Sequence, residues 1–97
     1  MVQLQNERDM KYLLVIEEAK GNLSAYFPDV PGCVAVGDSV EEARANAKEA
    51  LEFHLEDDEA PASRSLRQIL ESGDVVSTGE EVFAWVDYEH GKALATA

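Results

Sequence analysis

Tyr26–His54 reads YFPDVPGCVAVGDSVEEARANAKEALEFH, and the order of its parts decides the fold. An aromatic strand end runs into Pro28, whose ring removes a ladder donor and stops the strand. Asp29, Val30, Pro31 and Gly32 then supply turn chemistry, and Cys33–Val36 is a short apolar strand. Gly37-Asp38 ends that strand, and Ser39 opens a helix. The Ser39 hydroxyl is placed to accept from the third helical amide, while Glu42 is placed to reach back to the Ser39 amide. Glu41 and Glu42 also suit the positive end of the helix dipole. Val40, Ala43, Ala47, Ala50, Leu51 and His54 recur at three- and four-residue steps beside Leu55, predicting one apolar stripe on a helix running to about Glu56. Its many alanines allow close approach to a sheet.

Outward from this stretch, residues 1–9 are polar and read as a loosely attached start. Met10–Ala19 (MKYLLVIEEA) is rich in strand formers and ends at Lys20-Gly21-Asn22, a tight-turn signal that returns Leu23–Phe27 as an antiparallel partner. After the helix, Asp57–Pro61 is an acidic linker. A shorter helix follows, with a capping box at Ser65 and Gln68, an apolar side of Leu66, Ile69 and Leu70, and Gly73 as its C-terminal cap. Asp74–Glu81 reads as loop, Val82–Tyr88 as the last strand, and Gly91–Ala97 as a tail. The class is therefore α+β: a largely antiparallel three- to four-stranded sheet with one long helix on one face, in the order β-β-β-α, then short α and a last β. Residues 1–97 are expected to form one domain.

The strands are apolar on both sides. Tyr12, Leu14 and Ile16 alternate with Leu13 and Val15; Val82, Ala84, Val86 and Tyr88 alternate with Phe83 and Trp85. One helix covers only one face, so either the short helix or another subunit covers the other. Bare side chains cost about 1.5–3 kcal/mol each, which favours assembly as a homodimer or larger oligomer. Phe83 and Trp85 read equally as core or as interface anchors.

Twenty acidic residues against eight basic ones leave a net charge of −12. A field of that sign repels phosphate backbones, steers basic partners inward and keeps a small protein soluble. The single cysteine, Cys33, excludes an internal disulfide and fits a reducing compartment as a small buried hydrophobe. The polar Met1–Arg8 segment carries no secretory signal, and Tyr12–Ile16 is too short for a membrane span, so the expected location is the cytoplasm. Asp29 and Asp38 read as turn residues rather than metal ligands. His54 reads as a partly buried packing residue, and His90 as a turn residue. No nucleophile has an identifiable base and no metal-ligand spacing is present. The expectation is no enzyme, no catalytic or metal residue and no cofactor.

The residues Phe27-Pro28-Asp29-Val30-Pro31-Gly32-Cys33, with a strand such as Tyr12–Ile16 before them and Gly37-Asp38-Ser39 and Glu42-Ala43 after them, resemble the HicB antitoxin family. The resemblance covers about residues 10–60. It implies a partial ribonuclease-H-like fold and a partner: a small basic HicA-type toxin, an RNA-cleaving protein that the antitoxin blocks. Pro28, Asp29, Pro31, Gly32, Gly37, Asp38, Ser39, Glu42 and Ala43 carry the motif as turn and cap, and Glu41, Glu42 and Glu49 are the candidate toxin-facing acids. Many family members add a DNA-binding module. Residues 61–97 hold a short helix and then a strand, with Arg64, Arg67 and Lys92 outnumbered by acids, so neither that module nor direct nucleic-acid binding is expected. The alternatives are an orphan structural or oligomerisation module with no toxin and, last, a metal-dependent nuclease. The last would need carboxylates converging on ions roughly 4 Å apart.

Overall fold

The computed structural model describes residues 9–89. The expectations for residues 1–8, for His90 and for the tail from Gly91 lie outside that range. β1 (Asp9–Ala19) and β2 (Asn22–Tyr26) form the anticipated hairpin, with Ala19 opposite Asn22 and Gly21 at a φ of 77° that a Cβ would disfavour. β3 (Val34–Gly37) returns alongside β2, α1 (Val40–His54) crosses the sheet, α2 (Leu66–Ser72) follows, and β4 (Val82–Glu89) pairs with β1. The sheet order is β3-β2-β1-β4, antiparallel throughout.

Alternation along β1 sorts its side chains between two cores. Tyr12, Leu14 and Ile16 join Ala43, Ala47, Leu51 and Leu55 of the α1 side, with Val86 and Tyr88 of β4. The buried stripe of α1 is thus narrower than the periodicity suggests. Val40 is 42% exposed, and His54 is exposed with its ring over the turn at Gly32, 3.7 Å from where a Cβ there would stand. The helix closes at His54, with Leu55 as cap and a core residue.

The other face corrects the grounds for expecting assembly. Leu13 and Val15 are buried against Ile69 and Val75, with Tyr26, Leu66 and Phe83 packed around them, so α2 and the loop after it cover this face from within the chain. The Ser65–Gln68 capping box forms in both directions, and Gly73 caps α2 at a φ of 86°. Burying Leu13, Val15 and Ile69 contributes about 1.5–3 kcal/mol each, enough to hold a two-turn helix that would be marginal by itself. Replacing Ile69, 0% exposed, by alanine is expected to cost about 2–5 kcal/mol, measurable by urea denaturation. An unchanged midpoint would mean that α2 does not seal this face.

Candidate protein-interaction site

The Pro28–Gly32 segment folds as two successive turns, closed by Val30 N–H to Phe27 O and Cys33 N–H to Val30 O at 3.1 Å each. Phe27, Val30 and Cys33 point inward. Asp29 does more than form a turn. Its side chain is 3% exposed, and both oxygens are engaged by Arg64: Oδ2 accepts from the backbone N–H at 2.6 Å, Oδ1 from Nε at 2.7 Å. Arg64 Nη2 also donates to Asp74 at 2.9 Å, and these two carboxylates raise the Arg64 pKa further. Nearby, the Tyr12 hydroxyl donates to the Pro61 carbonyl; burial first, then Tyr88 and Asp29, push that hydroxyl up to about 12. The linker between the helices is therefore tied to the Pro-Asp-Val-Pro-Gly turn.

The Gly37-Asp38-Ser39 corner closes one residue earlier than the capping-box reading expects. Ser39 Oγ accepts from Glu42 N–H at 3.1 Å, but Glu42 Oε1 accepts from the amide of Asp38, at 2.7 Å, instead of that of Ser39. Gly37 is needed for approach: a Cβ there would stand 2.5 Å from the Ala43 backbone nitrogen.

The three candidate acids are not brought together. Glu41 lies with Arg44, Lys48 and Asp87 around a shallow cleft of about 300 Å³. Glu42 is occupied as a cap, and Glu49 is exposed on the outer side of α1. Phe83 and Trp85 do share one face of β4, opposite Val15 and Leu13, yet they divide in role: Phe83 packs into the α2-side core, while Trp85 is 38% exposed.

Features that the sequence reading missed lie at the sheet edges and the end of α1. Arg44 Nη2 donates to Trp85 O at 2.8 Å and Lys48 Nζ to Asp87 O at 2.7 Å on β4, while Asn46 Nδ2 donates to Val36 O at 2.8 Å on β3. One helix thus occupies carbonyls on both outer strands, a device that discourages strand-to-strand association. Phe53, at 78%, is the most exposed large hydrophobic among the described residues. The 100° step from the Ala43–Ala47–Leu51 stripe was the signal available for it. A cleft of about 430 Å³ is lined by Glu17, Glu18, Thr78, Glu80 and Glu81, where hydrogen bonds led by the Thr78 amide bring Glu81 down to about 2.

Burial pushes the Cys33 thiol up, away from the reactive thiolate. Among the described residues no three His, Cys, Asp or Glu side chains converge as metal ligands, and no helix is long and apolar enough to cross a membrane.

Against known proteins, residues 12–92 match the HicB-like antitoxin family of bacterial toxin-antitoxin systems. The chain belongs to that family. Two sequence relatives match part of the chain: an uncharacterised 14.9 kDa protein from the rep-hol intergenic region of Haemophilus phage HP1 is 41% identical over 66 residues, 63% of this chain and 50% of its own length. A UPF0150 protein of Helicobacter pylori is 48% identical over 46 residues, 47% of this chain and 64% of its own length. The HicB-like chain thus spans half to under two thirds of these relatives. Among solved structures, an antitoxin HicB3 crystal structure superimposes with a TM-score of 0.67 at 22% identity, over 86% of this chain and 65% of that one. A HicA3 and HicB3 toxin-antitoxin complex gives 0.62 at 23%, over 79% and 95%. The N-terminal domain of Burkholderia pseudomallei antitoxin HicB gives 0.60 at 18%, over 79% and 95%. At these identities the structural likeness carries the fold alone: an α+β domain with a four-stranded antiparallel sheet, as in the HicB antitoxin structures.

Proposed function

We propose that this HicB-like chain binds and masks a small basic RNA-cleaving toxin of the HicA type in the cytoplasm, as one domain, with no catalysis and no nucleic-acid binding of its own. The family match over residues 12–92 carries the reading. The solved HicA3–HicB3 complex supports the class of partner, and a net charge of −12 supports its sign. Acidic surface accelerates encounter with a cation and is screened by salt. The test is co-expression with each small basic protein that an adjacent gene encodes, followed by binding. The expected result is relief of toxicity and a complex that weakens about tenfold or more as salt rises from roughly 0.05 to 0.5 M. If toxicity is unrelieved and no complex forms, the antitoxin reading fails and the orphan-module reading replaces it.

Charge reversal is cleanest at Glu49. Reversal at Glu42 would remove the bond to the Asp38 amide, and reversal at Glu41 would place a cation beside Arg44 and Lys48. Glu49→Lys is expected to slow association severalfold without moving the melting temperature. A slowed encounter together with a lowered melting temperature would instead mark Glu49 as structural.

We also propose self-association through the Trp85 side of β4, supported by its 38% exposure next to a covered core. Since Arg44 and Lys48 occupy the β4 carbonyls, the contact is made by side chains and not by strand pairing. Sedimentation at micromolar concentration is expected to show a dimer that Trp85→Ser dissociates. A wild-type monomer would rule this contact out.

A further inference from the structure

The geometry points to the carboxyl-terminal end of α1, centred on Phe53, as the surface on which the basic partner docks, with Phe53 as its apolar anchor; the inference rests on the antitoxin reading above. Three observations converge there. First, the two ways of joining the sheet are obstructed. Asn46 holds a carbonyl of β3, while Arg44 and Lys48 hold carbonyls of β4, so a strand added at either edge must displace side chains that already bond it. Both sheet faces carry a helix, α1 over one and α2 over the other. Apart from edge-strand side chains such as Val34, Val36 and the 38%-exposed Trp85, what remains for a partner is the outward side of a helix.

Secondly, Phe53 is 78% exposed on a helix whose inward positions are alanine and leucine. Glu49 precedes it by one turn and lies on the same side, as residues four apart on a helix do. An exposed ring beside its own acidic rim has the anatomy of an interface anchor: apolar centre, polar surround. Trp85 lacks this setting, since Arg44 bonds its carbonyl and Lys48 bonds that of Asp87 two residues on, placing cations beside this part of β4.

Thirdly, the charge along the chain from Glu49 past Phe53 is of one sign. Residues 49–60 contain six carboxylates and no lysine or arginine. Lys48 is the last cation before them, and it is paired with Glu52 at 3.7 Å. The occupant that fits is a lysine- and arginine-rich protein surface. Its cationic heads meet the carboxylates, and its aliphatic stems and charges lie against the Phe53 ring. A second copy of this chain would bring the same six carboxylates against themselves and is disfavoured on charge.

The experiment measures binding of the full chain to a purified basic HicA-type protein from an adjacent gene of the same genome, should one be encoded, and otherwise to a panel of HicA-type proteins, using wild type, Phe53→Ser, Phe53→Leu and Trp85→Ser, with sedimentation and thermal melting on each. The expected result is that Phe53→Ser weakens binding about 30-fold, chiefly through faster dissociation, while melting and sedimentation stay as in the wild type. Phe53→Leu keeps most of the affinity and Trp85→Ser keeps all of it. If wild type binds and Phe53→Ser binds within about threefold of it, the docking surface is elsewhere and the antitoxin reading survives. If Phe53→Ser converts a dimer to a monomer, the occupant is a second copy and the proposal is overturned. If wild type binds no such protein, the antitoxin reading itself fails and takes this surface with it.

Discussion

Replacing Gly37 by alanine is expected to destabilise the fold by about 3 kcal/mol, lowering Tm by roughly 15 °C. Two effects compete. Removing a glycine restricts the unfolded chain and stabilises by about 0.4–1 kcal/mol where the folded backbone tolerates a Cβ. Here the added carbon would stand 2.5 Å from the nitrogen and 2.7 Å from the Cα of Ala43, both backbone atoms, and 2.9 Å from the carbonyl carbon of Glu42. Backbone in the first turn of α1 does not rotate aside as a long side chain would, so the helix must lift from β3. Ala43 is 0% exposed, and lifting it opens the core at Ala43, Ala47 and Leu51. Thermal unfolding of Gly37→Ala, followed by circular dichroism, is the measurement. A Tm equal to or above that of the wild type would show that the corner gives way cheaply and that entropy wins.

Asp29→Ala is expected to cost about 2 kcal/mol, or roughly 10 °C in Tm, and to loosen α2. Breaking a fully buried ion pair costs about 3–5 kcal/mol; the smaller figure applies because the Arg64 side chain is 31% exposed and regains water. The deletion nevertheless strips two partners at once, since the Arg64 backbone N–H and Nε both donate to the Asp29 carboxylate. With that anchor gone, the linker keeps Tyr12–Pro61, and α2 rests on Ile69 and Leu66. Limited proteolysis is expected to cut earlier between Leu55 and Ser65 in the variant than in wild type. Asp29→Asn, which keeps one acceptor oxygen, is expected to fall between the two. Equal proteolysis rates in all three proteins would show that Asp29 does not secure the linker.

The elements themselves were legible because their signals are local. Lys20-Gly21-Asn22 names a hairpin, Ser39 and Glu42 a helix start, Ser65, Gln68 and Gly73 both ends of a short helix, and alternation along β1 two faces; strand and helix limits then fall within one or two residues of expectation. The capping bond of Glu42 still went to Asp38, a neighbour the pattern does not distinguish from Ser39. At the candidate site, the shared face of Phe83 and Trp85 follows from a period of two, but their different burial does not: Phe83 is covered because α2 folds back over it.

The sequence by itself determined the α+β class, the order of strands and helices, the caps, the acidic field and, through the Phe27–Cys33 and Gly37–Ser39 motifs, the family. Tertiary structure alone decided that Asp29 meets Arg64 across 35 positions, that Tyr12 meets Pro61 across 49, and that α1 sends Asn46 to one sheet edge and Arg44 and Lys48 to the other. It also decided that the second face is sealed from within the chain while Phe53 is left facing water. Turns and caps are bonds between near neighbours, whose geometry two or three residues specify. A long-range partner is chosen by where the whole chain packs, and an aspartate between two prolines looks the same in sequence whether an arginine arrives or not.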